Sequence, residues 1–113
     1  MANIKAVLVK DGKATVVALP QSGDVSKLVG GYIEFLRVGD DAHAYIDEEG
    51  KLKGLPVNEV ASQFCGDYRV GLQAWDHIVG PMLILGSRNA SGEEDGAEHS
   101  VPKHVVAYFA ARE

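Results

Sequence analysis

The chain lacks most of what secreted, disulfide-bonded or membrane-spanning proteins need. Its only cysteine, Cys65, rules out an internal disulfide, which suits a reducing compartment. No apolar stretch approaches the roughly 18 residues that a membrane-spanning helix requires. Lys5 and Lys10 interrupt the apolar run at the N-terminus, which therefore resembles a strand and not a signal peptide. These absences predict a cytoplasmic protein.

Basic residues are also scarce. The 11 lysines and arginines are outnumbered by 16 acidic residues, giving a net charge of -5, and they are scattered from Lys5 to Arg112. A protein that follows phosphates along a nucleic acid normally has clustered basic residues. The sequence therefore predicts neither general nucleic-acid binding nor attachment to an anionic membrane.

The remaining composition is typical of one ordinary globular domain. With 113 residues, of which 46% are hydrophobic, the chain can bury a single core. No repeat or second domain is visible, so residues 1–113 are predicted to form one domain. Residues 86–100 contain almost nothing to bury and are predicted to be a mobile acidic loop.

Apolar runs separated by turn residues predict a mainly antiparallel sheet built from hairpins. Asp11-Gly12 is a strong hairpin signal, because a type I′ turn needs positive φ at both central residues. Gly39-Asp40-Asp41 predicts a second turn. The last strand contains Gly80-Pro81, which predicts a bulge or bend. The predicted strands are residues 4–9, 14–19, 32–38, 42–47 and 77–85.

Two short helices and a C-terminal helix complete a predicted α+β fold. The first has Val25, Leu28 and Val29 on one face, is capped by Ser22 or Asp24, and stops at Gly30-Gly31. The second begins after Asn58 as N-cap and ends near Phe64. Residues 66–76 have the composition of a loop. The third follows Ser100 as its cap, with Pro102 in the first turn, although Val105-Val106 would also fit a strand.

The potential metal ligands and nucleophiles form no recognisable constellation. His99 and His104 have four residues between them, as in half of a zinc finger, but the closely spaced cysteine pair is missing. His43 and His77 have no such spacing. Cys65 lies at the end of an apolar helix face, which favours a small buried side chain over a nucleophile. We expect no catalytic residue, no metal site and no cofactor.

Three segments in order along the chain resemble a known family. They are the run VGGYIE at residues 29–34, the run EEGKLKGLPVN at residues 48–58 and the run HIVG at residues 77–80. The chain is similar to the small phage, plasmid and actinobacterial proteins grouped as the domain of unknown function 3846 family. This resemblance implies a phage or prophage origin and a location in the host cytoplasm. It implies no activity. Glu59 stands where many relatives have a basic residue, and Asp47 where they often have an amide, which weakens any anion-binding role.

The region from Gly30 to Asn58 is the candidate functional region. It is either a structural corner between a hairpin and a helix or a surface that binds a ligand. Within it, Lys51 and Lys53 are expected to point one way and Leu52 the other. The candidate binding residues are Gly30, Gly31, Tyr32, Glu34, Tyr45, Asp47, Glu48, Glu49, Lys51, Lys53 and Asn58.

Two functions from different classes fit these observations. The first is a non-catalytic binding protein that engages a host protein. The alternative is a domain that binds a small ligand or nucleotide, with Gly30-Gly31, Lys51 and Lys53 near the phosphates and Tyr32 or Tyr45 stacking on the base. A homo-oligomer is a further expectation, because a strand such as Ile4–Val9 leaves an open edge unless it is paired or covered.

Overall fold

Among the residues that the structure describes, five strands pair into one antiparallel sheet, with helices packed against it. The computed structural model describes residues 3–20, 25–30, 32–70, 77–87 and 99–112. The strands are Asn3–Lys10 (β1), Lys13–Pro20 (β2), Ile33–Val38 (β3), Ala42–Asp47 (β4) and Met82–Gly86 (β5). The helices are Ser26–Val29 (α1), Glu59–Asp67 (α2) and Lys103–Ala110 (α3). The strand order is β2-β1-β5-β4-β3, and the fold is α+β, as predicted.

The first hairpin forms at the predicted turn. Lys10 lies opposite Lys13, and the two residues between them, Asp11 and Gly12, have φ values of 54° and 77°. Two positive φ values in a two-residue loop define a type I′ turn, whose twist matches that of the flanking strands. The prediction made from Asp11-Gly12 is confirmed.

The predicted strand at residues 77–85 is wrong at its beginning. The strand β5 starts only at Met82, after Gly80 with a φ of 73° and after Pro81. Pro81 has no N–H to contribute to a ladder, so the bend expected inside the strand lies in front of it. Before the bend, Val79 forms an isolated bridge with Val57.

The helices differ from prediction in length and capping. The helix α1 is a single four-residue turn, and α2 continues to Asp67, beyond the predicted end near Phe64. The N-cap of α3 is Pro102, and its side chain makes no capping hydrogen bond. The predicted cap, Ser100, instead accepts a hydrogen bond from the backbone N–H of Lys5 at 3.0 Å.

Several predictions fall outside the described residues. The capping roles of Ser22 and Asp24, the role of Gly31, residues 71–76 of the predicted loop and residues 88–98 of the predicted acidic loop all lie there.

Alternate side chains of each strand point to opposite sides, and the sheet contributes buried side chains to a cluster on each of its faces. One face packs against α2 and α3, with Phe64, Val105 and Phe109 in contact with the sheet residues Val7 and Ile84. The opposite face forms a second cluster that contains Ala6, Val29, Tyr45, Leu83 and Leu85. Every residue of the central strand β5 is buried, which explains why it is the most apolar stretch of the sequence.

Two leucines provide a matched test of this architecture. Leu83 is fully buried, whereas Leu52 is 87% exposed. We expect Leu83→Ala to lower the free energy of unfolding by about 2–5 kcal/mol, because it leaves a cavity in the core. Leu52→Ala should change it by less than about 0.5 kcal/mol. Urea unfolding measures both, and equal effects of the two substitutions would contradict the placement of the core.

Candidate functional site

The chain between β4 and α2 folds into a compact series of turns, and we call residues 47–58 the corner. The backbone N–H of Gly50 donates to the carbonyl of Asp47 at 3.1 Å, and that of Lys53 donates to the carbonyl of Glu49 at 2.9 Å. The N–H of Leu55 donates to the carbonyl of Gly50 at 3.1 Å. Successive backbone bonds of this kind hold the loop in one conformation. Because residues 51–54 are turns and not a strand, side chains there do not alternate between two faces as expected.

The carboxylate of Asp47 holds the corner together from inside. Its side chain is only 1% exposed, and its Oδ2 accepts a hydrogen bond from the Nζ of Lys53 at 2.8 Å. Its Oδ1 accepts from the backbone N–H of Glu49 at 2.9 Å. Lys53 Nζ also donates to the carbonyl oxygen of Gly30 at 3.0 Å. One ion pair, between the buried Asp47 and the partly exposed Lys53, therefore joins the end of β4, the tip of the corner and the end of α1.

The ion pair shifts the pKa of both partners toward their charged forms. The hydrogen bond from Lys53 lowers the pKa of Asp47 below its ordinary value of 3.8, against the opposing effect of burial. The same bond raises the pKa of Lys53 above its ordinary value of 10.5. Both groups are therefore charged throughout the neutral range.

Gly30 is required where α1 approaches this ion pair. Its φ is 131°, a backbone conformation that residues other than glycine rarely adopt. An added Cβ would lie 2.7 Å from Oδ2 of Asp47. The glycine ends α1, as predicted, and also gives Lys53 access to its carbonyl. A structural role accounts for this residue.

Asn58 fixes the other end of the corner. Its side-chain oxygen accepts from the N–H of Ala61 at 3.0 Å, which makes it the N-cap of α2, as predicted. Its side-chain amide donates to the carbonyls of Val9 at 2.9 Å and Gly80 at 2.8 Å. Its backbone N–H donates to the carbonyl of Ile78 at 2.7 Å. This buried side chain uses both of its amide protons and its oxygen within the fold.

Apolar side chains project into solvent from this region. Leu52, at the tip of the corner, is 87% exposed, and Val57 is 52% exposed. Tyr32, whose carbonyl accepts a hydrogen bond from the N–H of Glu48 at 2.9 Å, is 70% exposed. The candidate residues Glu34, Glu48 and Lys51 are exposed as well, and Glu49 is half-buried.

Tyr45 has an internal role. It is only 6% exposed, and its ring makes edge contacts with His43 and Phe35, with centroids 5.2 and 6.0 Å apart. A base cannot stack on a ring that is buried among its neighbours. Of the two tyrosines considered for stacking, only Tyr32 presents its ring to solvent.

Several of the candidate binding residues therefore have partners within the fold. Asp47 and Lys53 bind each other, and Asn58 bonds to backbone. The structure contains cavities of about 890 and 600 Å³, and neither is lined by Gly30, Lys51 or Lys53. What the corner does present outward is an apolar tip on a rigid loop.

A group of side chains that sequence reasoning missed joins the β3–β4 turn to two helices. The Nε2 of His104 lies 2.8 Å from Oδ2 of Asp41, and its Nδ1 lies 3.1 Å from the hydroxyl of Tyr68. Burial and the nearby charge of Asp41 raise the pKa of Tyr68, so its hydroxyl stays protonated and is a poor nucleophile. His104 and Asp41 are each about half exposed. The contacts tie the β3–β4 turn to α2 and α3, and no sequence signal connects residues this far apart.

Cys65 is buried at 3% exposure, and its thiol donates a hydrogen bond to the sulfur of Met82 at 3.9 Å. Burial raises the pKa of this thiol to about 12. The predicted small buried side chain is what the structure shows. Within the described ranges, no three His, Cys, Asp or Glu side chains are grouped closely enough to hold a metal ion. None of the described helices is long and apolar enough to cross a membrane.

Comparison with known proteins gives one family match. Residues 4–110 match the family described as "Domain of unknown function (DUF3846)". No curated protein matches the chain, and no solved structure does. The match covers the sheet, the corner and all three helices.

The Asp47 carboxylate should make the stability of the fold depend on acid pH. A lowered pKa stabilises the folded state above the ordinary value of 3.8, and this stabilisation is lost as the pH falls through the lower folded value. We expect Asp47→Asn to lower the free energy of unfolding near neutral pH by about 1.5–3 kcal/mol. The difference from wild type should shrink below pH 3.8.

Urea unfolding over a pH series measures this difference. Asp40→Asn is the matched control, because the Asp40 side chain is 99% exposed and its ion pair with Arg37 lies in solvent. That change should alter stability by less than about 1 kcal/mol. A loss for Asp47→Asn that does not vary with pH would contradict the ion-pair interpretation.

The buried thiol should be protected in the native protein. At neutral pH a group with a pKa of about 12 is almost entirely protonated, and Cys65 is also shielded from reagents. We expect reaction with a thiol-specific chromogenic reagent to be slow in buffer and fast in concentrated urea. Rapid reaction of the folded chain would show that Cys65 is accessible and would make it a candidate nucleophile.

Proposed function

The chain belongs to the DUF3846 family, described as a domain of unknown function, and we propose that it acts as a non-catalytic protein-binding domain. The phage lineage implied by the sequence resemblance makes a host protein in the bacterial cytoplasm the proposed partner. The observation that carries the proposal is Leu52, a large apolar side chain 87% exposed at the tip of a rigid loop.

The rigidity of the corner is what distinguishes Leu52 from an ordinary exposed leucine. Single apolar residues on a surface are common and need no explanation. Here, however, the ion pair of Lys53 with the buried Asp47 and a series of backbone bonds hold the loop on either side of the side chain. A binding residue on a preorganised loop loses little conformational entropy when its partner docks. Such a loop is suited to insert its tip into an apolar pocket.

The surroundings of Leu52 fit the usual layout of a protein interface. Apolar anchors at the centre of an interface are commonly bordered by polar and charged groups that remain partly solvated. Lys51 and Glu48 are exposed in the same loop, and Tyr32, whose carbonyl accepts a hydrogen bond from the N–H of Glu48, adds an exposed ring. This arrangement supports protein binding over capture of a nucleotide, for which Lys53 would have to leave Asp47.

Leu52→Asp tests the proposal without disturbing the fold. We expect the tagged wild-type chain to capture at least one specific protein from a lysate of the bacterial host, and Leu52→Asp to lose it. Because Leu52 is almost fully exposed, both baits should unfold at the same urea concentration. Affinity capture followed by mass spectrometry measures the difference.

The control is Ala107→Asp, which adds the same charge at an exposed position of α3, far along the chain from the corner. This bait should retain the partner. An identical set of captured proteins for wild type and Leu52→Asp would overturn the assignment of Leu52 as the anchor.

A further inference from the structure

Within the described part of the chain, the strand β2 is an edge of the sheet that no strand other than β1 pairs with, and it is apolar although none of its residues is buried. It is the outermost strand beside β1, and all of its residues are exposed or half-buried. Between Lys13 and Pro20 it carries no charge, and its Val16 is 48% exposed. Edge strands are normally protected by charges, bulges or a covering element, because their free backbone groups pair readily with another chain.

The type I′ turn determines which backbone groups of β2 are free. In a two-residue hairpin the flanking pair, Lys10 and Lys13, exchanges hydrogen bonds, and bonded pairs then recur at every second residue. The backbone of Thr15, Val17 and Leu19 therefore faces β1. The backbone N–H and C=O groups of Ala14, Val16 and Ala18 face outward. They form no backbone hydrogen bond with another described residue.

We infer that β2 is a homodimer interface at which the same strand of a second copy adds in antiparallel orientation, with Val16 opposite Val16. This pairing joins two five-stranded sheets into one. The three outward residues of each strand then form about six backbone hydrogen bonds across the interface, two for each bonded pair.

The order of side chains along β2 favours a second copy over an unrelated segment. The sequence Ala14-Thr15-Val16-Val17-Ala18 is nearly symmetric about Val16. In the inferred register Ala14 lies opposite Ala18, and Thr15 lies opposite Val17. Thr and Val are both β-branched, and such residues are enriched in strands because they pack well against cross-strand neighbours. The strand is thus complementary to itself over its whole central part.

Charge distribution permits the same pairing. Lys13 is the only charged residue of β2, and the register places it opposite Leu19 of the second copy. The two Lys13 residues are then about 20 Å apart along the strands, beyond the screening length of a physiological salt solution. The net charge of -5 on each copy opposes association, so the dimer should be stronger at higher salt.

A groove runs beside β2 on the face of the sheet that packs against α2 and α3. It has a volume of about 890 Å³ and lies between β2 and the two long helices, with Val16, Val60, Val106 and Phe109 among its lining residues. Val16 points to this face, because it lies opposite the buried Val7 of β1. Pairing would therefore cover an apolar floor as well as satisfy the backbone.

The interface replaces the one expected from sequence. The strand Ile4–Val9 was the predicted open edge, but β1 lies between β2 and β5 and is paired on both sides. Dimerisation through β2 does not involve Leu52 of the corner. The dimer and the proposed protein-binding function can therefore be tested independently of each other.

Charge-swap variants at Val16 test both the dimer and its register. We expect sedimentation equilibrium to show a monomer–dimer equilibrium for the wild-type chain. Val16→Lys and Val16→Glu should each raise the dimer dissociation constant about tenfold or more, because like charges then lie directly opposite each other. An equimolar mixture of the two variants should recover dimers. Ala107→Lys, at an exposed position of α3, is the control and should dimerise like wild type.

Engineered cysteines give a second, independent reading of the register. In a hydrogen-bonded antiparallel pair the Cα atoms are about 5.5 Å apart, within the range of a disulfide. Val16→Cys should therefore form a covalent dimer on mild oxidation. Ala18→Cys should not, since the two copies of residue 18 are about 14 Å apart in this register. The buried Cys65 does not compete.

A wild-type chain that stays monomeric at every concentration would overturn the proposal, as would a dimer that Val16→Lys and Val16→Glu leave unchanged. A dimer that cross-links through Ala18→Cys and not through Val16→Cys would overturn the register.

Discussion

The side-chain amide of Asn58 is the connection on which the rest of the fold depends. Three bonds from one buried group join the last residues of β1, the bend at Gly80 and the first turn of α2. The sheet, the helix and the corner can occupy their places only together, because a buried amide left without its partners is costly. The single asparagine thus couples packing of the core to the shape of the surface loop that precedes it.

Another buried polar group, Asp47, fixes the start of the corner, as Asn58 fixes its end. Its bond to Lys53 brings the loop back onto the sheet, while Gly30 allows α1 to approach the same point. The acidic residues at the start of the corner therefore lie in different environments. Asp47 is internal, and Glu48 beside it faces water. The two neighbouring carboxylates differ where β4 ends at Asp47 and the turn begins at Glu48.

Local patterns allowed much of the fold to be predicted. Asp11-Gly12 specified a turn that requires positive φ, and Asn58 specified a cap in front of an apolar helix face. Both signals act within a few residues. The bonds from Asn58 to Val9 and from Asp41 to His104 join residues far apart in sequence, and nothing in one sequence encodes their proximity. For the same reason the sequence suggested that Asp47 and Lys53 could serve a ligand, whereas in the folded chain each is the other's partner.

The position of β5 has a consequence for the order in which the sheet forms during synthesis. The first four strands are two local hairpins, and each can form from a continuous stretch of chain. They become one sheet only when β5 enters between β1 and β4. Contacts between distant segments form slowly, and unpaired strand edges promote aggregation in the meantime. During synthesis, β1 and β4 therefore each keep one edge unpaired until residues 82–86 leave the ribosome, and this is the interval in which those edges can pair with another chain.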